Sequence, residues 1–420
     1  MRTKVQKLFI IFLCLPALAA SNISQWRGIN RDGQYQEKNL LKQWPENGPP
    51  LLWSVKSIGK GYSSASVSQN VIYITGKIDT SDFLTAIDQN GQIKWQIPYG
   101  RAWNKTFPET RCTPTIENDQ IYLISGQGEV VCISALTAQK VWSVAAFEKF
   151  AGKYGEWGIA ESVLLVDNKV IYTPGGDKTT MIALDKRTGE IIWITESLPD
   201  YTAYVSPILI THGQKQIIVN VTAHYLFGVD AANGHFLWKY KYADLDPPTW
   251  HPNAPIINAI SPLFHDGQIY VTSGYNHVGA LFRLSEDASQ LTLAWKDTTL
   301  DCHIGGVVLV DGYLYGANWI SNRDGNWCCI DWQTGAVKYE KKWQTKGSII
   351  AADGMLYCYE ERRGHVALVK VTPDDFAIES TFRVTAGFGP HWAHPMIHDG
   401  ILYLRHGATL LAYDIRQKKS

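Results

Sequence analysis

A polar or aromatic residue recurs at one station along the chain: Tyr62, Arg111, Glu161, Tyr204, Asn258, His303, Lys346 and His394, roughly every 47 residues. Glu161 is the carboxylate of this set, which suits it to act as a general base or a metal ligand. His303 or His394 would be the second proton-transfer group, and Arg111 the partner of an anion. Trp157, His391 and Trp392 lie close to these stations. Aromatic faces among neutral and mixed-charge polar groups suit a small polar, hydroxylated ligand such as a sugar or alcohol. The motifs of a serine triad, a phosphate-binding glycine loop and a zinc site are absent.

The elements that must hold these residues repeat. Segments such as VIYTPGGDKTTMIALDKRTGEIIW, IIVNVTAHYLFGVDAANGHFLW and LYGANWISNRDGNWCCIDWQTGAVKY each read as four short strands with period-2 alternation and polar turns. Asp88, Asp185, Asp230, Asp331 and Asp414 mark equivalent turns about 47 residues apart or at multiples of that spacing, the signature of propeller blades. The last copy ends near Asp414 without its Trp strand, whereas Leu51-Leu52-Trp53-Ser54-Val55 is a Trp strand without a blade. Pairing the two closes an all-β ring of eight blades, or seven if the weak seventh copy is degenerate, and removes an open sheet edge. The recurring Trp53, Trp95, Trp142, Trp193, Trp238 and Trp295, with Tyr339, then read as packing between blades.

One face of such a ring carries only short turns, including Asp266-Gly267, Asp311-Gly312 and Asp353-Gly354. The other carries long loops: 99–111, 146–161, 243–258, 318–327 and 388–394. Function concentrates in long loops on rigid scaffolds, so the second face is the candidate site.

Residues 1–20 have the basic start, apolar run and small-residue end of a secretory signal peptide, with Cys14 preceded by Ile-Phe-Leu rather than the small residues of a lipoprotein cleavage site. The expected organisation is a signal peptide at 1–20, an extension at 21–50 and a single propeller domain at 51–420, exported to the periplasm or outside the cell and not membrane-spanning. The formal net charge is zero. Without Arg2, Lys4 and Lys7 it becomes about −3, which gives no electrostatic case for nucleic acid. Six cysteines follow the leader, and export permits disulfides whose pairing the spacing leaves open.

The run Ala183-Leu184-Asp185 with Thr188-Gly189 and Trp193 resembles the repeat of the pyrroloquinoline-quinone dehydrogenases, over essentially all of 51–420. Trp26-Arg27-Gly28, Arg31-Asp32-Gly33, His303-Ile304-Gly305-Gly306 and Gly389-Pro390-His391-Trp392 further resemble a short exported bacterial subgroup of these propellers. The outer-membrane lipoprotein of the barrel-assembly machinery also looks like this and holds no quinone. The resemblance therefore implies two functions of different class. One is a dehydrogenase holding pyrroloquinoline quinone with calcium, with Arg111 beside a quinone carboxylate. The other is a non-catalytic scaffold that binds an envelope protein. The enzymes are commonly longer and set calcium with a Glu, Asn and Asp constellation that no motif locates here. Cys328-Cys329 are similar to the vicinal disulfide of the alcohol-oxidising members, yet they sit in a strand where alternation points them to opposite faces.

Overall fold

Four-residue runs such as Ile182-Ala183-Leu184-Asp185 alternate side chains between two buried sheet faces, and 34 short strands result among the described residues. The computed structural model describes residues 23–246 and 257–417; the signal-peptide reading at 1–20 and part of the loop at 243–258 lie outside them. The strands form eight sheets, each containing four strands in a continuous antiparallel order. Blades 1 to 7 take residues 66–101, 115–144, 164–194, 208–240, 263–297, 302–341 and 347–383. Blade 8 combines Met396–His398, Ile401–His406 and Thr409–Asp414 with Leu51–Val55, which pairs antiparallel to Thr409–Asp414. The architecture is therefore an eight-bladed propeller closed by its N-terminal strand. Among the described residues helix is confined to Ala146–Lys149 and a 3-10 turn at Tyr242–Leu245, and no described helix is long and apolar enough to cross a membrane.

The blades are joined by the aspartate turn and the tryptophan. Asp185 Oδ1 accepts from the amides of Arg187 and Thr188 at 2.9 and 3.1 Å, which shapes the turn. Gly189 then adopts φ 73°, and a Cβ there would lie 2.8 Å from the Trp142 ring of blade 2. Only glycine satisfies both the dihedral and the close approach. Trp142 in turn donates from its indole nitrogen to Lys186 O at 2.9 Å, so ring, turn and hydrogen bond weld blade 2 to blade 3. Trp53 on Gly91, Trp193 on Gly234 and Trp295 on Gly335 repeat this weld.

The six described cysteines are free and buried. Cys328 packs in the apolar cluster shared with blade 5 and Cys329 in that shared with blade 7, so the adjacent pair faces opposite sides of its sheet.

The extension before Leu51 is built into the ring. Ile23–Ser24 pairs with the inner strand of blade 2, and Gln34–Tyr35 runs parallel to the inner strand of blade 7. Both contacts fall near the short-turn ends of those strands, so the intervening residues cross that end of the central channel. Beyond it, Trp44 packs on Tyr357 and Phe382 before the chain reaches blade 8.

Candidate functional site

The channel has two ends of different chemistry. At the short-turn end the extension turns Arg27 and Arg31 inward, each only 3% exposed. Arg31 donates to the carbonyls of Ser162 and Pro207 at 3.0 Å, to that of Val163, and to Gln25 Oε1 at 2.8 Å. Arg27 donates to Ile349 O at 3.1 Å, to Val307 O and to His394 Nδ1 at 3.0 Å. Two guanidiniums thus collect backbone carbonyls from blades 3, 6 and 7 and from the entrance to blade 4. Burial pulls both below the ordinary arginine range, Arg31 to about 10. A void of about 10 Å³ is all that remains between them, room for about one water.

His394, a candidate proton-transfer residue, belongs to this end, and Glu161, a second one, lies within reach of the Arg31 charge. Glu161 is fully buried; its two oxygens accept from the Thr173 amide at 3.2 Å, and Thr173 Oγ1 accepts from Asn220. Burial pushes its carboxyl up to about 8, opposed by the Thr173 bonds and the charge of Arg31. A carboxyl still protonated at neutral pH is poorly placed to take a proton. His394 accepts from Arg27 at Nδ1 and donates from Nε2 to Ile304 O at 3.1 Å, so both ring nitrogens are occupied in one neutral tautomer. Burial holds it well below the usual histidine range.

The long-loop end is an aromatic mouth. Trp392 sits between Tyr62 and Phe107, with centroids at 4.9 and 5.3 Å. Trp157 lies 5.4 Å from Tyr204, whose hydroxyl accepts from the Trp157 amide at 3.1 Å. Tyr275 joins His303 at 4.7 Å to Trp319 at 5.1 Å. Arg111 feels the charges of Tyr62, Glu109 and Tyr204, and Tyr275 those of Tyr204 and Glu361, so these side chains converge from around the ring. Lys346 and Glu361 form a buried ion pair at 2.8 Å, and Asn258 donates to Thr222 O at 2.7 Å. His391 stacks on His406 at 3.6 Å.

Several polar atoms here are buried without a protein partner: Glu109 Oε2, Asn258 Oδ1, His303 Nδ1, Glu361 Oε2 and His391 Nε2. Burial, with Lys346 second, takes His303 down to about 3, and burial beside His406 takes His391 down to about 4. Both rings are therefore neutral at neutral pH.

The structure thus divides the sequence-predicted residues. Arg111, Trp157, Tyr204, His303 and Trp392 line or border the mouth, Lys346, Asn258 and His391 brace it, His394 lies at the plug, and Glu161 is buried against Thr173. No hydrogen bond or ion pair joins any two of Glu161, His303 and His394 among the described residues. Sequence reasoning attached no role to Arg27 and Arg31, although their motifs stood out, and it missed Tyr275, Trp319 and Phe107. Tyr275 and Trp319 follow second strands rather than precede first ones, a station the repeat also marks.

The residues present do not fit a calcium-bound quinone. Glu161 is turned to Thr173 and Arg31, while Asp200 and Asp246 on the long-loop side are paired with His224 at 2.7 Å and His277 at 2.5 Å. Among the described residues the cluster with three His, Cys or acid ligand atoms within mutual reach is Glu37, His398 and Asp399, on the short-turn face.

A family model described as "Outer membrane protein assembly factor BamB" matches residues 47–145 and 81–341. No curated protein matches the chain in sequence. Among solved structures, BamB from Moraxella catarrhalis is similar at 11% identity, with a TM-score of 0.62 over 87% of this chain and 99% of that one. The quinohemoprotein alcohol dehydrogenase from Comamonas testosteroni shares 11% identity, with a TM-score of 0.69 over 93% of this chain and 80% of that one. The computationally designed Ika8 protein reaches a TM-score of 0.59 at 10% identity, over 88% of this chain and all of that one. A designed protein scoring 0.59 against 0.62 for BamB indicates that this likeness is one of architecture.

Proposed function

The chain belongs to the PQQ-repeat propeller family described as outer membrane protein assembly factor BamB, and from that premise we propose that it is an exported, non-catalytic binding propeller. Its ligand is a small hydroxylated molecule, a sugar or polyol, held at the long-loop mouth. The observation that carries this reading is the set of three aromatic groups, Trp392 with Tyr62, Trp157 with Tyr204 and Trp319 with Tyr275, around neutral polar atoms that lack protein partners. Flat apolar faces beside a few directed polar groups are what a hydroxylated ring requires. The signal-like residues 1–20 support export.

Titration with a panel of neutral sugars and polyols, followed by tryptophan fluorescence and calorimetry, tests it. Saturable binding weakened about tenfold in Trp392→Ala is expected, a loss of about 1.4 kcal/mol. Dye-linked oxidation that requires added quinone and calcium would overturn the non-catalytic part of the reading.

A second reading, a protein partner of the cell envelope on the same face, is favoured by Phe388, 87% exposed at a loop tip, with Phe107 and Ile320 also exposed there. Silence across the whole sugar panel would favour it.

A further inference from the structure

One side of the mouth is held by a single buried aspartate. Among the described non-glycine residues with positive φ, two are aromatic, Phe107 at 48° and Tyr275 at 60°, and both border the mouth. A bulky side chain in the left-handed region is strained and persists only where its surroundings hold it there, a condition met most often at functional sites. Arg111 holds Phe107 by donating to its carbonyl oxygen. Tyr275 stands between Gly274 at φ 71° and Asn276 at φ 63°, in a turn closed by the His277 amide on Gly274 O at 3.1 Å.

That turn follows the second strand of blade 5, yet its tether is Asp301, at the entrance to blade 6, whose Oδ2 accepts from the Asn276 amide at 2.6 Å. The main-chain oxygen of the same aspartate accepts from the Trp319 amide at 2.7 Å, on the loop after the second strand of blade 6. Two residues on, His303 Nε2 lies 2.8 Å from the Tyr275 hydroxyl, and a Cβ on Gly274 would lie 2.8 Å from the His303 Cα, so turn and strand are in contact. The acids at the entrances to blades 3 and 4, Glu161 and Asp200, accept amides of their own blades, from Thr173 and His224, whereas Asp301 reaches back to the preceding one. Asp301 is 4% exposed, so it acts through these neighbours rather than by touching a ligand. We propose that Asp301 is a positioning residue of the mouth: by tying the blade 5 turn to the blade 6 loop it sets the Tyr275–His303–Trp319 arch, which on the reading above faces the ligand.

The test uses the full chain labelled with 5-fluorotryptophan, the Trp319 fluorine signal being identified by its loss in Trp319→Phe. Asp301→Ala should shift that signal and leave those of the blade-contact rings Trp142, Trp193 and Trp295 in place. Asp301→Asn, which keeps an acceptor for the Asn276 amide, should restore it. Should Asp301→Ala not fold, Asp301→Ser, whose hydroxyl stops one bond short of that amide, carries the same expectation. Titrated with the panel of neutral sugars and polyols, the alanine variant should bind about tenfold more weakly and the asparagine variant within about twofold of the parent. A Trp319 signal unmoved in the alanine variant, or moved together with the blade-contact rings, overturns the proposal, and so does an unchanged sugar affinity in that variant. A parent chain that binds nothing in the panel overturns the sugar reading of the mouth and leaves the fluorine signals to decide on Asp301.

Discussion

The two ends of the central channel start from the same eight inner strands and finish in opposite states. At the short-turn end, the chain supplies its own occupants: Arg27 and Arg31 meet the carbonyls of Ser162, Val163, Pro207, Val307 and Ile349, and His394 is bound at both nitrogens. At the long-loop end, aromatic rings border the opening and buried polar atoms of Glu109, Asn258, His303 and Glu361 are left without protein partners. A region whose polar groups are satisfied internally is built for stability, whereas one that leaves them unmet is built to meet something else. Position on the channel axis alone therefore does not identify a functional residue.

Breaking the plug should have the largest effect. Arg31→Ala leaves the carbonyls of Ser162, Val163 and Pro207 buried and unpaired, and the expected loss is roughly 3 kcal/mol or more. Urea unfolding measures it; a variant as stable as the parent would mean that the guanidinium is not needed there. The next effect is a pH dependence at Glu161. Its folded carboxyl sits at about 8, above the ordinary 4.5, so the folded protein keeps a proton that the unfolded chain releases. Stability should fall as pH rises between those values and level off above them. Glu161→Gln should flatten that slope in unfolding curves recorded across the interval.

Smaller effects belong to the mouth. Trp392→Ala should weaken the neutral ligand about tenfold while costing less stability than Arg31→Ala, because the ring is partly exposed. If the two variants instead lose similar stability, the contrast between the ends collapses. Phe388→Ala should change stability by no more than about 0.5 kcal/mol, since the side chain is almost fully exposed. A measurable loss of partner binding in that variant, with sugar binding intact, would sharpen the second reading over the first.

Local signals were strong where geometry repeats. Asp185 with Gly189, and Trp193 on its strand, are written into the chain because a tight turn and a blade contact each demand particular residue types. The closure of Leu51–Val55 onto Thr409–Asp414 was legible for the same reason: a half-repeat at each end can only be completed by the other. The station residues were legible as a ring, and Arg111, Tyr204 and His303 do reach the mouth. Which of that ring were free was not legible, because Glu161 is turned to Thr173 and the charge of Arg31, and His394 is claimed by Arg27, more than 300 residues away in sequence. The unrepeated extension offered no period to read.

By itself, then, the sequence determined the all-β ring, its closure and the face with long loops, since each follows from periodicity and turn chemistry that act over a few residues, and the structure settled eight blades over seven by completing the weak seventh copy. Only the tertiary structure decided that the extension fills one end of the channel and that Arg27 and Arg31 collect the carbonyls of blades far from them in sequence. Those outcomes depend on which distant surfaces come within hydrogen-bonding or packing distance once the ring has closed, and no local pattern encodes that.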